Sequence, residues 1–132
     1  MPTLRGFHHV ALTVTDLETS AEWYQRVLGM TEQFRESAGG RRATVLDFGE
    51  GVTSVGLVQD EGHGAGFDPG ITGLDHVAFS VSSPAEMDDW AARFDELGIA
   101  HSGPIEVPPG LILNFKDPDG IALALFWDRA AR

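Results

Sequence analysis

The chain has 132 residues, no cysteine, and a formal net charge of −11 from 20 acidic and 9 basic side chains. That length suits a single domain with its own apolar core, while the missing cysteine excludes disulfides, thiolate metal sites and cysteine nucleophiles and fits a reducing, cytoplasmic setting. The acidic surplus, with basic residues scattered apart from Arg41 and Arg42, disfavours the phosphate backbone of nucleic acids and suits solubility and neutral or cationic partners.

The opening stretch MPTLRGFHHV lacks the long apolar core of a secretory signal, and no later apolar run approaches the roughly 20 residues that span a bilayer, so no membrane partner is expected. Residues 7–14 alternate, with Val10, Leu12 and Val14 on one side and His9, Ala11 and Thr13 on the other, the period of a half-buried strand. A helix follows. Asp16 is a suitable N-cap, Leu17, Ala21, Tyr24 and Leu28 recur at helical spacing, and Gly29 suits a left-handed C-terminal position. Three strand-like stretches then span about 31–37, 42–48 and 53–59. The glycine-rich, aperiodic stretch 61–71 reads as a connector.

The second half repeats the first. At an offset of 67, seven identities fall in one ungapped window of 21: Gly6 with Gly73, His9 with His76, Val10 with Val77, Ala11 with Ala78, Val14 with Val81, Trp23 with Trp90 and Arg26 with Arg93. Chance would supply roughly one or two, so the halves read as a duplication. Val77, Phe79 and Val81 alternate with His76, Ala78 and Ser80. Ser83-Pro84-Ala85-Glu86 then forms a capping box with proline in the first helical turn, ahead of a stripe at Met87, Ala91, Phe94 and Leu97 and a terminal Gly98. Strands are expected over about 100–106, 111–115 and 121–127, the last two joined by a tight Asp117-Pro118-Asp119-Gly120 turn. After a two-residue adjustment at Leu28-Gly29 and Leu97-Gly98, Leu46 and Phe48 again fall on Leu113 and Phe115 at the original offset, and Leu57 falls on Leu125. The class is therefore α+β: one domain, 1–132, of two βαβββ modules, 5–60 and 72–128, with a connector over 61–71.

Each helix must cover the valine and leucine side of its sheet, which leaves the other face over. That face carries His9, Ala11, Thr13, Ser54, Gly56, Val58, His76, Ala78, Ser80, Ala122, Ala124 and Phe126. Side chains this small do not fill a core, so a curled mixed sheet around a pocket is expected. A hollow lined by small groups, a few polar groups and aromatics suits a small-molecule ligand; the competing reading fills it with another subunit or helix.

The duplicated βαβββ pattern, HVALTV followed by DLETSAEWYQRVLGM, then DHVAFSV and FKDPDGIALALFW, resembles the vicinal oxygen chelate superfamily. That group holds glyoxalase I, extradiol dioxygenases, methylmalonyl-CoA epimerase, fosfomycin-modifying enzymes and bleomycin-binding resistance proteins. The resemblance covers nearly the whole chain and implies the glyoxalase/bleomycin resistance fold and a homodimer. It is specific for fold and weak for activity, since one scaffold hosts several chemistries and some pure binders. In metal-dependent members the first and fifth strands each give a histidine, and the fourth and eighth often a glutamate. His9 and His76 match the histidines, but the glutamate positions are Gly56 and Ala124, which offer no ligating atom.

Two histidines alone hold a divalent ion poorly. No cofactor is required on these grounds; if one is bound, the implied group is Fe, Mn, Zn, Ni or Co on His9 and His76, completed by a carboxylate from off-pattern residues such as Asp47, Glu50, Asp60, Glu61 or Glu106, or from a bound substrate. Otherwise the histidines serve as hydrogen-bonding groups in a polar pocket, with His8 and Asp75 on the opposite strand face taking no part. His101, in Ala100-His101-Ser102-Gly103-Pro104, resembles a stretch beside the pocket in related sequences, and by itself reads as a solvated strand residue. His63 reads as part of an exposed loop rather than a lid. Trp23 and Trp90 read as packing between helix and sheet, and some of Phe48, Phe115, Phe126 and Trp127 face the pocket by alternation.

The candidate ligand-binding residues are thus His9, Thr13, Gly56, His76, Ser80, His101, Ala124 and Phe126, with His9 and His76 also an incomplete metal pair. No catalytic residue is assigned, because no nucleophile and base stand at a legible spacing. The functional expectation is a bleomycin-resistance-like protein binding a small organic molecule. The alternative is a metal-dependent lyase, isomerase or extradiol-type dioxygenase using His9, His76 and a displaced carboxylate.

Overall fold

Where the sequence supplies caps, helices start and stop. Asp16, in extended backbone, accepts from the amide of Thr19 at 3.0 Å and opens α1 (Leu17–Leu28), which Gly29 closes at φ 72°. Ser83 opens α2 (Pro84–Leu97) by accepting from the Glu86 amide at 3.1 Å, and Gly98 closes it at φ 69°. Glu86 reaches back to the amide of Ser82 rather than to Ser83, so the reciprocal bond of the capping box is displaced by one residue.

The computed structural model describes residues 1–49, 53–61 and 66–130 in two compact units, Met1–Gly66 and Phe67–Arg132. In the first unit, β1 (His9–Thr13), β2 (Thr31–Ala38), β3 (Arg41–Asp47) and β4 (Ser54–Asp60) form a sheet in the order β1-β4-β3-β2. The second unit has β5 (Val77–Ser80), β6 (Ile105–Val107), β7 (Gly110–Lys116) and β8 (Ala122–Asp128) in the matching order β5-β8-β7-β6. In each, the first strand runs parallel to the last and the remaining pairs are antiparallel. The fold is therefore the expected α+β pair of βαβββ modules, each contributing its own open four-stranded mixed sheet.

One face of each sheet is closed by its helix. Leu17, Ala21, Tyr24, Val27 and Leu28 of α1 are buried with Leu12, Leu46, Val55 and Leu57 of the sheet. Fully burying a side chain of this size stabilises by about 1.5–3 kcal/mol. Gln59 ties the two layers, its Oε1 accepting from the first helical amide, Leu17, at 2.7 Å. In the second unit Met87 and Phe94 of α2 are buried with Leu113, Phe115, Leu123 and Leu125, and Phe94 lies 4.7 Å from Phe115. Trp23 is buried against Tyr24 at 5.0 Å, and Trp90 is half-buried against Phe94 at 5.7 Å, as packing residues.

Two local expectations are corrected. The stretch 100–106 is not one strand: His101 makes a single bridge to Phe115, and β6 begins only at Ile105. Gly103 at φ 71° and Pro104, which has no amide to donate, interrupt it. The internal alignment also slips. Leu46 pairs with Val55, and the residue in the same place of the second sheet is Phe115, paired with Leu123, not Leu113. Because α2 is 14 residues against 12 for α1, the true offset there is larger by two, and a slip of two preserves the face, so the apolar pattern does not reveal it.

The Asp117-Pro118-Asp119-Gly120 turn forms as expected. Asp117, 6% exposed, accepts from the amides of Asp119 and Ile121, both at 2.9 Å, and Gly120 adopts φ 78°.

Candidate functional site

The registers place the expected small residues side by side on the face away from each helix. In the first unit His9 pairs with Ser54, Ala11 with Gly56 and Thr13 with Val58. A Cβ on Gly56 would stand 3.3 Å from that of Ala11, so these two strands approach closely. In the second unit Ala78 pairs with Ala124 and Ser80 with Phe126; one residue earlier, His76 comes level with Ala122. His9, Thr13, Gly56, His76, Ser80, Ala124 and Phe126 thus all occupy the open face of their own sheet. Phe126 faces this side, whereas Phe115 is buried under α2 against Phe94.

At the end of the second sheet a cavity of about 660 Å3 brings Asp75, His76, Asn114, Lys116 and Ala122 together with His101, Phe115 and Leu123 from the helix-covered side. Volumes of this size suit small organic ligands. The open face of the first unit has a smaller hollow, about 140 Å3, among Glu36, Ala38, Arg41, Ala43 and Val58.

The histidines are held by neighbours expected to take no part. His76 Nδ1 lies 2.7 Å from Asp75 Oδ1. A carboxylate only accepts, so Nδ1 carries a proton, and in the neutral ring Nε2 is the acceptor. His9 Nδ1 lies 2.9 Å from His8 Nδ1, with the rings edge to face at 5.2 Å. Alternation failed here because the bonded partner precedes each histidine at the edge of its strand, where His9 opens β1 and His76 stands one residue before β5. His101 is not a solvated strand residue: its side chain is 12% exposed, Nε2 donates to Asp95 at 2.7 Å, Nδ1 accepts from the Gly103 amide at 3.0 Å, and its ring packs on Phe94. Both nitrogens are spent, so His101 shapes the cavity wall and holds the loop.

The off-pattern carboxylates are also engaged. Asp47 accepts from Gln33 at 3.0 Å and from the Gly49 amide at 2.8 Å, Asp60 meets Arg41 at 3.0 Å, and Glu106 meets Arg129 at 3.5 Å. Glu61 lies at the β2–β3 hairpin tip against Gly40; Glu50 and His63 fall outside the described residues. Among the described residues no three His, Asp or Glu side chains cluster as metal ligands. The electrostatic cluster of the first unit lies elsewhere. Arg35 bonds Glu18 and Glu32, and with Thr44 it holds the Glu32 carboxyl below its ordinary range, while the two carboxylates push the Arg35 guanidinium up.

The model of the Glyoxalase/Bleomycin resistance protein/Dioxygenase superfamily matches residues 6–125. The chain belongs to this superfamily. It is 31% identical to the putative ring-cleaving dioxygenase MhqA of Bacillus subtilis, over 96% of this chain but only 40% of that protein, so the chain spans about two fifths of that relative's length. A glyoxylase/bleomycin resistance protein/dioxygenase domain from Frankia sp. EAN1pec superposes with a TM-score of 0.88 at 36% identity, covering 96% of this chain and all of that one. The antibiotic binding protein TnmS3 from Streptomyces sp. CB03234 shares the fold, with a TM-score of 0.76 at 21% identity over 97% of this chain and 99% of that one. Members of the superfamily, as a class, act on or bind small molecules, often with a divalent metal. Among the described residues no helix is long and apolar enough to cross a membrane.

What sequence reasoning missed in the site is Lys116 and Asn114. They project beside Ala122 and Ala124, with which they pair across β7 and β8. The signal was available, since Lys116 is the sole lysine of the chain, but the strand expected over 111–115 stops one residue short of it, whereas β7 runs to Lys116.

Proposed function

We propose that this superfamily member is a small-molecule-binding protein that holds an organic ligand on the open sheet face, with a metal site left incomplete. One observation carries the reading: Gly56 and Ala124, the positions where metal-dependent relatives present glutamate, sit in register beside Ala11 and Ala78 and carry no donor atom. His9 and His76 supply imidazole alone, and the donor set does not fit a complete divalent site. Thr13, Ser80, His101 and Phe126 complete the ligand-binding set as hydrogen-bonding groups and walls. The two modules, 5–60 and 72–128 with their connector 61–71, act as one domain. The chain works in the cytoplasm as a homodimer, without nucleic acid or membrane partners; light scattering at micromolar concentration should give twice the chain mass.

Metal content of the purified protein, by plasma mass spectrometry, should fall well below one ion per chain, and EDTA should leave the melting temperature unchanged. A stoichiometric ion whose removal lowers that temperature overturns the reading.

A second reading, a metal-dependent lyase, isomerase or dioxygenase, draws support from the Asp75–His76 bond, which leaves Nε2 of His76 in the form a metal ligand needs. His9→Ala would then abolish both metal and turnover together.

A further inference from the structure

The open face of the second unit carries unspent polar groups in an ordered row. His76 stands level with Ala122, and Ala122 pairs with Lys116 on the far strand; in the next row come Ala78, Ala124 and Asn114. Adjacent strands lie about 4.8 Å apart, so His76 and Lys116 flank a floor of alanine roughly 10 Å across. All but Ala78 and Ala124 line the 660 Å3 cavity. Among the described residues the Lys116 ammonium and the Asn114 carboxamide make no hydrogen bond or ion pair. In the neutral ring Nε2 of His76 is the accepting nitrogen, because Nδ1 donates its proton to Asp75.

Charge is therefore polarised across the floor. Asp75 places a carboxylate at the β5 side, and Lys116 places a cation on β7. A ligand lying over Ala122 meets an acceptor and negative charge at one end, and a cation with an amide at the other.

We propose that this face takes a small organic anion, a carboxylate or phosphate ester with an apolar body and a hydroxyl. The anion pairs with Lys116 and Asn114, the body lies on Ala122, and the hydroxyl donates to Nε2 of His76 in its neutral form. This inference rests on the open face being a ligand site, and adds to that reading which chemistry it selects. The net charge of −11 opposes anions at long range, so a single lysine that no carboxylate pairs, across the floor from Asp75, is what would admit them.

The sole lysine also makes the test direct, because protein labelled with 15N-lysine has one backbone lysine resonance. Three probes are titrated into the full chain: 4-hydroxybenzoate, its neutral amide 4-hydroxybenzamide, and phenyl phosphate. The lysine resonance should move saturably with 4-hydroxybenzoate and about tenfold more weakly with the amide, as befits a charge-assisted hydrogen bond. The ranking of 4-hydroxybenzoate against phenyl phosphate identifies the preferred anion. In uniformly labelled protein, Lys116→Met should weaken 4-hydroxybenzoate about tenfold, and Lys116→Arg should retain most of the affinity. Equal binding of acid and amide, an unaffected Lys116→Met, or no movement with any probe overturns the inference. Binding of 4-hydroxybenzoate with shifts that avoid the amides of Ala78, Ser80 and Ala124 would instead overturn the open face as the ligand site.

Discussion

Gly110 begins β7, the strand that carries Asn114 and Lys116, and pairs with Asp128 at the end of β8. A Cβ placed there would stand 1.8 Å from the carbonyl oxygen of Trp127 and 2.9 Å from its carbonyl carbon. Both atoms are backbone, so no side-chain rotation relieves the clash, and the strands must part by well over an ångström. That movement strains the neighbouring bond from the Arg129 amide to the Pro109 carbonyl, 2.8 Å long. Overpacking costs about 1–3 kcal/mol and a lost backbone bond about 1 kcal/mol more, so Gly110→Ala should destabilise by about 2–4 kcal/mol. For a chain of this size the melting temperature should fall by roughly 10 °C in a calorimetric scan. Gly56→Ala is the control: its Cβ comes no nearer than 3.3 Å to any atom beyond its chain neighbours, the nearest being the Ala11 Cβ, and should cost less than about 1 kcal/mol. A Gly110→Ala variant melting within a degree of wild type would refute the argument.

Other outcomes follow from the same geometry. Asp117→Ala orphans the buried amide of Ile121 and the half-buried amide of Asp119 and should cost about 2–4 kcal/mol in urea unfolding, whereas Asp117→Asn, which keeps an acceptor, should cost far less. Glu32 is held below its ordinary range chiefly by the Arg35 hydrogen bond and further by Thr44. Its contribution is therefore present above that range and lost as the pH falls through the lowered value. In Thr44→Val this acid loss should begin at higher pH when melting temperature is followed from neutral to acid; parallel profiles for variant and wild type would contradict the assignment.

How much of this was legible in the chain follows from the range of each signal. Asp16, Gly29, Ser83, Gly98 and the Asp117–Gly120 turn act within four residues, and their sequence readings stood. The open faces were also legible, because alternation at His9, Ala11 and Thr13 and at His76, Ala78 and Ser80 survives in the strand registers. Pairing across strands was not. The slip that matched Leu46 to Leu113 keeps every apolar residue on its own face, so hydrophobicity is blind to it, and with the slip went the positions of Asn114 and Lys116 on the cavity. His101 escaped for a similar reason: its partner Asp95 is on α2, six residues back, and its ring packs on Phe94. Gly110 gives no sign in sequence, since its need for hydrogen at Cα comes from the Trp127 carbonyl of another strand.

The central claim, an organic-ligand face whose metal site lacks its oxygen donors, is tested most directly by calorimetric titration of Mn2+ and Zn2+ into the metal-stripped wild-type chain. The account predicts no saturable binding in the micromolar range. One equivalent bound tightly by the wild type and lost on His9→Ala or His76→Ala would contradict it.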